Sequence, residues 1–249
     1  MRVLRHWKHL ALAAGAAVVL TATAAPLALA HPHVQVQVRT TLLVKDGAVI
    51  GLRHVWVMDE QWRLSQLELH DKNSDGTLSE EELAPLVEES KATLELFKSF
   101  TTLRHGSQRI RPAAVQQLMI GPHGDRLGLT FVVKLAKPVP LAGSELLLEV
   151  YDGTYFSAFS FAGPDSVDLD GERPRDCVVN AAAQPSPQQL AVHRMMTRQL
   201  GPEFNAKAAL PQAASVSCGK GMLIGGRTTP GAGVPADATG LHMPVSTGR

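Results

Sequence analysis

The chain has 249 residues, with 24 Lys and Arg against 23 Asp and Glu, two Cys, and aromatic residues at only 5%. A formal charge of +1 offers no polycationic surface for nucleic acid, and 45% hydrophobic content is too high for a disordered chain. Two Cys cannot build the dense disulfide framework of a mini-protein.

At the N-terminus Arg2, Arg5 and Lys8 precede an apolar run from Leu10 to Leu20, then Pro26 and Ala28-Leu29-Ala30. A basic region, an apolar region and a small-x-small site in that order predict a cleavable signal peptide over residues 1–30. The exported chain keeps 21 Lys and Arg against 23 Asp and Glu, a balance of −2, so the slight basicity belongs to the leader. The expected location is the periplasm, with no stable membrane span after cleavage. Residues 31–218 read as one domain and 219–249 as a flexible tail, since those last 31 residues carry eight Gly and three Pro.

Cleavage after Ala30 makes His31-Pro32-His33 the new terminus. His31 and His33 are two apart at a strand start, so they share a face opposite Val34, Val36 and Val38. Two imidazoles and a free amine suit a borderline metal such as Zn²⁺, Ni²⁺ or Co²⁺, or a copper brace. Pro32 excludes the square-planar copper or nickel chelate that needs a deprotonated second-residue amide.

Val34, Val36 and Val38 alternate with Gln35, Gln37 and Arg39, and a second strand is expected over residues 48–58. Asp46-Gly47 between them suits a two-residue type I′ turn. That turn, extended without a bulge, sets His33 opposite Glu60 and puts His54, Trp56 and Met58 on the histidine face. The candidate transition-metal set is therefore His31, His33, His54 and Glu60; alone, His54 reads as a hydrogen-bonded sheet residue.

Residues 59–70 read as a short helix and 79–98 as a second, with Leu83, Leu86, Val87, Leu94 and Phe97 at helical spacing and Pro85 near its start, where proline does least harm. Between them, residues 71–82 fit the twelve-residue EF-hand loop at every diagnostic place. The side chains of Asp71, Asn73 and Asp75, the Thr77 carbonyl, Ser79 through water and both oxygens of Glu82 supply the oxygens that Ca²⁺ requires, and Gly76 permits the turn. Ser79 and Glu82 also spell a capping box, which leaves the spacing of Asp71, Asn73, Asp75 and Gly76 unexplained. A single hand predicts weak affinity, about 10⁻⁴–10⁻³ M, and structural use.

Residues 115–120 and 127–135 read as a hairpin, with Leu127, Leu129, Phe131, Val133 and Leu135 on one face. Strands are expected at 145–151 and 155–161, joined across Asp152-Gly153-Thr154, then a helix over 186–200 and a last strand at 214–218. Asp165, Asp168, Asp170 and Glu172 read as a solvated loop, and His105, His123, His193 and His242 lack partners at ligand spacing. Export lets Cys177 and Cys218 form the one available disulfide. No nucleophile elbow, phosphate loop or zinc-protease helix is present, so no catalytic residue is assigned and an enzyme is not expected. The expected fold is α+β, an antiparallel sheet or sandwich with an EF-hand-like helix-loop-helix inserted at 59–98.

His31-Pro32-His33-Val34, the run from Gly51 to Trp56 leading into Asp59-Glu60, the acidic loop 71–82 and the run from Tyr151 to Phe156 occur in that order. Together they resemble the bacterial periplasmic family catalogued as domain of unknown function 1007, over about residues 31–218. Members of that family are described as periplasmic components of uncharacterised transport systems and tend to be encoded near nickel/cobalt-type permeases. The resemblance thus implies an accessory role in divalent transition-metal transport, with an inner-membrane permease or another envelope protein as partner. Met58 stands where an aromatic is usual and Gly153 where a proline is, and the Gly-rich tail extends past the usual end. The alternative is a calcium-stabilised, non-enzymatic interaction module of the cell envelope.

Overall fold

A computed structural model describes residues 33–143, 145–200, 210–219 and 223–224. The leader, His31, His242 and nearly all of the proposed tail lie outside the described residues. Two sheets share one apolar core. The first runs in the order β5 (Pro112–His123), β6 (Arg126–Pro140), β2 (Ala48–Met58), β1 (Val34–Lys45), β8 (Ser157–Phe161), with β9 (Val167–Gly171) on the same edge of β1. The second runs β11 (Cys177–Ala183), β12 (Gln212–Cys218), β7 (Leu146–Val150), β3 (Thr101–His105), β4 (Gln108–Ile110). A small pair joins β10 (Arg173–Pro174) to β13 (Leu223–Ile224). The fold is α+β, mostly sheet, with antiparallel and parallel pairs.

Alternation builds the core directly. Val36, Val38 and Leu42 of β1, Leu52 and Trp56 of β2, and Leu129, Phe131 and Val133 of β6 meet Leu103, Leu148, Val150 and Val216 from the second sheet in one buried cluster. The β1–β2 turn has positive φ at both Asp46 (50°) and Gly47 (72°), as a type I′ hairpin needs. Lys45 pairs with Ala48 and Val44 with Val49, but Leu43 then pairs with Gly51. Ile50 is thus an extra residue, and the register slips by one along the rest of the hairpin. The register against β6 is also broken between Val49 and Gly51, where Val49 pairs with Val139 but Gly51 with Lys134, so that there the extra residues are on β6. Gly51 is needed where the strands draw together: a Cβ there would lie 2.9 Å from the Val133 carbonyl oxygen.

The two expected strands flanking Asp152-Gly153-Thr154 belong to different sheets. β7 lies antiparallel to β3 and β12, whereas β8 runs parallel to β1. The linking segment carries the chain between sheets and is fastened by Asp152, whose carboxylate accepts from Thr154 N (2.8 Å), Thr154 Oγ1 (2.7 Å) and Ser157 N (2.9 Å). The expected solvated loop around Asp168 and Asp170 is instead strand β9, parallel to β1. Val167 and Leu169 fill its inward positions while Asp168 stays exposed, so the acids are its outer face.

After β2 come α1 (Glu60–His70), the acidic loop and α2 (Glu80–Leu96), which packs on β5 and returns through a 3₁₀ turn (Lys98–Phe100) into β3 of the second sheet. α3 (Pro187–Leu200) joins β11 to β12. Pro85 is the sixth residue of α2 and so lies in its interior, past the turn where proline is harmless. No helix among the described residues is long and apolar enough to cross a membrane.

Candidate functional site

Loop 71–82 is organised around its own carboxylates. Asp71 Oδ1 accepts from Asp75 N (3.3 Å) and Oδ2 from Gly76 N (2.9 Å). Asn73 Oδ1 accepts from Asp75 N (3.0 Å), while Asp75 Oδ1 accepts from Thr77 N (2.8 Å) and Thr77 Oγ1 (2.7 Å). Gly76 sits at φ +80° with open space around a would-be Cβ, so backbone conformation rather than crowding favours glycine there. The bonds of Asn73 and Asp75 follow from the sequence, since Asn and Asp bond backbone amides two residues on, while Asp71 reaches four and five residues along to close the turn.

The far end is fixed by the helix start. Ser79 caps α2, its hydroxyl accepting from Glu82 N (3.3 Å) while Glu82 Oε2 accepts from Ser79 N (2.9 Å). Glu82 also reaches back across the loop, where Oε1 accepts from Lys72 N (2.8 Å). The last position of the loop thus touches its beginning. Hydrogen bonds from Ser79 and Lys72 hold the Glu82 carboxyl below the usual range, and those from Thr77 and Asn73 do the same for Asp75. Both are therefore ready anions at neutral pH. Among the described residues no three His, Cys, Asp or Glu are grouped so as to hold a metal ion. The loop's donors fit Ca²⁺ in type and chain order; the carboxylates are spent on amides, and their convergence is what binding has to bring about.

Of the four proposed transition-metal ligands His31 lies outside the described residues, and the other three, His33, His54 and Glu60, are not gathered. His33 is exposed at the entry to β1, its N–H donating to the Phe156 carbonyl (2.8 Å) and its ring 5.1 Å from that of Phe156. His54 is fully buried, opposite Thr40, on the core face with Val36 and Val38. Strand rise puts His33 about 23 Å from Thr40 along β1, and on the other face. The bulge at Ile50 causes the change of face, because a one-residue slip sends every later side chain to the opposite side; the separation along the strand holds in either register. Nor does His33 pair with Glu60, which lies in α1, where its carboxylate accepts from Arg63 Nε (2.9 Å) and Nη2 (2.7 Å).

Asp59, given no role of its own from the sequence, is the residue that ties this corner together. Its carboxylate caps α1 through Trp62 N (2.8 Å) and also accepts from Gln35 N of β1. An acid directly before a helical run was the available signal. The expected disulfide is present: Cys177 and Cys218 are direct partners across β11 and β12. His193, assigned no role from sequence, is buried and stacks 6.0 Å from Tyr155.

Over residues 16–218 the chain matches the family described as "Protein of unknown function (DUF1007)", and it belongs to that family. No curated protein matches it.

Proposed function

We propose that this DUF1007 member is an exported, non-enzymatic metal-binding accessory protein of the cell envelope, in which loop 71–82 takes Ca²⁺ and uses it to fix α1 against α2. The observation that carries the reading is the closure of the loop on itself: Glu82, at its twelfth position, bonds Lys72 at its second, while Asp71, Asn73 and Asp75 hold the turn around Gly76. Both ends run directly into helices, so a bound ion there acts as a joint. The Cys177–Cys218 bridge suits an oxidising compartment and thus supports export.

A second, transition-metal role rests on the processed terminus, and the exposed ring of His33 at the start of β1 is the observation that favours it. His31, His33 and the new amine would be its ligands for Zn²⁺, Ni²⁺ or Co²⁺. A nickel/cobalt-type permease of the inner membrane is the partner that family resemblance suggests.

Calorimetric titration and thermal melting of the chain 31–249 test both roles. Calcium binds one site at about 0.1–1 mM, and 10 mM Ca²⁺ then adds roughly 2 kcal/mol and several degrees to the melting midpoint. Asp71→Asn and Glu82→Gln each weaken that binding at least ten-fold while far-UV spectra stay unchanged. A midpoint indifferent to 10 mM Ca²⁺ overturns the calcium reading. For the terminus, His31→Ala with His33→Ala abolishes Zn²⁺, Ni²⁺ and Co²⁺ binding; retention of all three metals discards that site.

A further inference from the structure

A cavity of about 500 Å³ lies between α1, α2 and the core edge of the first sheet. Its size is that of a small-molecule site. Trp56, Trp62, Phe97, Phe100, Phe156 and Phe159 all line it, half of the twelve Phe, Trp and Tyr in the whole chain. Several touch one another: Trp56 lies 4.9 Å from Phe159, and Phe97 stacks 5.0 Å from Phe100. Phe97 and Phe156 at its margin are exposed, 41% and 50%. Trp56 and Phe159 are its buried floor, and the exposed rings of Phe97 and Phe156 leave an apolar rim open to water, which marks a binding surface rather than a finished core.

The charge on the walls is of one sign. Among the described residues no Lys, Arg or His lines the cavity, whereas Glu89 and Asp152 do. Asp152 is only 3% exposed and forms no salt bridge among the described residues. Its three hydrogen bonds to Thr154 and Ser157 hold the carboxylate in place without neutralising it. A buried negative charge without a counter-ion is costly, and a cation arriving from outside relieves it. Aromatic faces attract the same kind of ion.

We propose that this cavity binds a lipophilic organic cation, with its hydrocarbon body among the six rings and its ammonium head toward Asp152 and Glu89. The site goes beyond the metal reading above and does not depend on it. Anionic amphiphiles are disfavoured because they would add a third negative charge to a wall on which no described residue is positive.

Trp56 and Trp62, both on the cavity wall, make tryptophan emission a direct probe. Decyltrimethylammonium, 1-decanol and decanoate, matched in chain length and kept below micelle-forming concentrations, are titrated against the chain 31–249. Decyltrimethylammonium gives saturable binding to one site at least ten-fold tighter than decanoate, with decanol between them. Glu89 is exposed, so Glu89→Lys keeps the fold and cuts the preference for the ammonium over decanoate at least five-fold. Thr93→Trp, which fills the cavity from α2, removes the binding. Equal affinity for the three head groups overturns the proposal, as does a preference unmoved by Glu89→Lys or binding that survives Thr93→Trp.

Discussion

His54 is held by a chain of donors that leaves its ring one state. The Thr101 hydroxyl donates to the Ser99 carbonyl (2.7 Å), so its oxygen is left to accept from His54 Nε2–H at 3.5 Å, and Nδ1 accepts from Thr40 (2.9 Å). Phe131 (5.0 Å) and Trp56 (6.0 Å) pack around the ring, and burial drives its pKa from 6.5 down to about 3. The folded-state value lies below the unfolded one, so His54 contributes stability that is complete above pH 6.5 and is lost as pH falls toward 3. Each pH unit in that window costs up to about 1.4 kcal/mol, because the unfolded chain takes the proton first. His193 is lowered by burial as well and adds in the same direction. His54→Gln keeps an acceptor for Thr40 and cannot titrate; it therefore flattens the loss of urea-unfolding stability between pH 6.5 and 5, a range above that of the carboxylates. A variant as steep as the parent protein would refute this assignment.

At the scale of elements, α2 joins two demands that pull apart. Its first turn is set by the Ser79–Glu82 capping box, with Glu80, Glu81 and Glu82 favoured at the positive end of the helix dipole. One turn later Pro85 has no N–H for the Glu81 carbonyl, and its ring crowds the preceding turn. Leu83, Leu86 and Leu94 hold the helix to the core regardless. Pro85→Ala restores the bond and raises stability by about 1–3 kcal/mol in chemical denaturation; no gain would mean the helix is already bent to suit the proline. The helix, its cap and the turn at Gly76 were legible because each is written in consecutive residues. The face of His54 was not. The valine alternation before the bulge and the β2 pattern after it are each sound, and the extra Ile50 between them leaves both intact while reversing their relation. β9 was missed for a related reason: Asp168 and Asp170 hide a strand whose inward residues are only Val167 and Leu169. The aromatic cavity was illegible altogether, since its rings come from strands, helices and connecting segments far apart in sequence.

Across the whole molecule the second sheet is the part that needs a covalent tie. Its strands come from distant stretches of chain, and β12 must return across α3 before it can pair with both β11 and β7. Cys177 and Cys218 are opposite each other at the far end of the β11–β12 pair, and Ala142 bridges to Cys218 beside them. The bridge closes a segment with a sequence separation of 41, containing β11, α3 and β12. Loop-closure entropy for that length contributes about 4 kcal/mol by restricting the unfolded chain. Few native contacts are lost with the sulfurs, because Cys177 and Cys218 lie at the margin of the cluster rather than in its centre. The Cys177→Ala/Cys218→Ala double variant therefore keeps the native fold at 25 °C but unfolds about 4 kcal/mol more easily, and the parent protein under reductant behaves as the variant does. Urea titrations of the parent, oxidised and reduced, beside the double variant decide it. A difference under about 1 kcal/mol would show that pairing with β11 and β7 holds β12 without the sulfurs, and that an oxidising compartment is not needed for the fold.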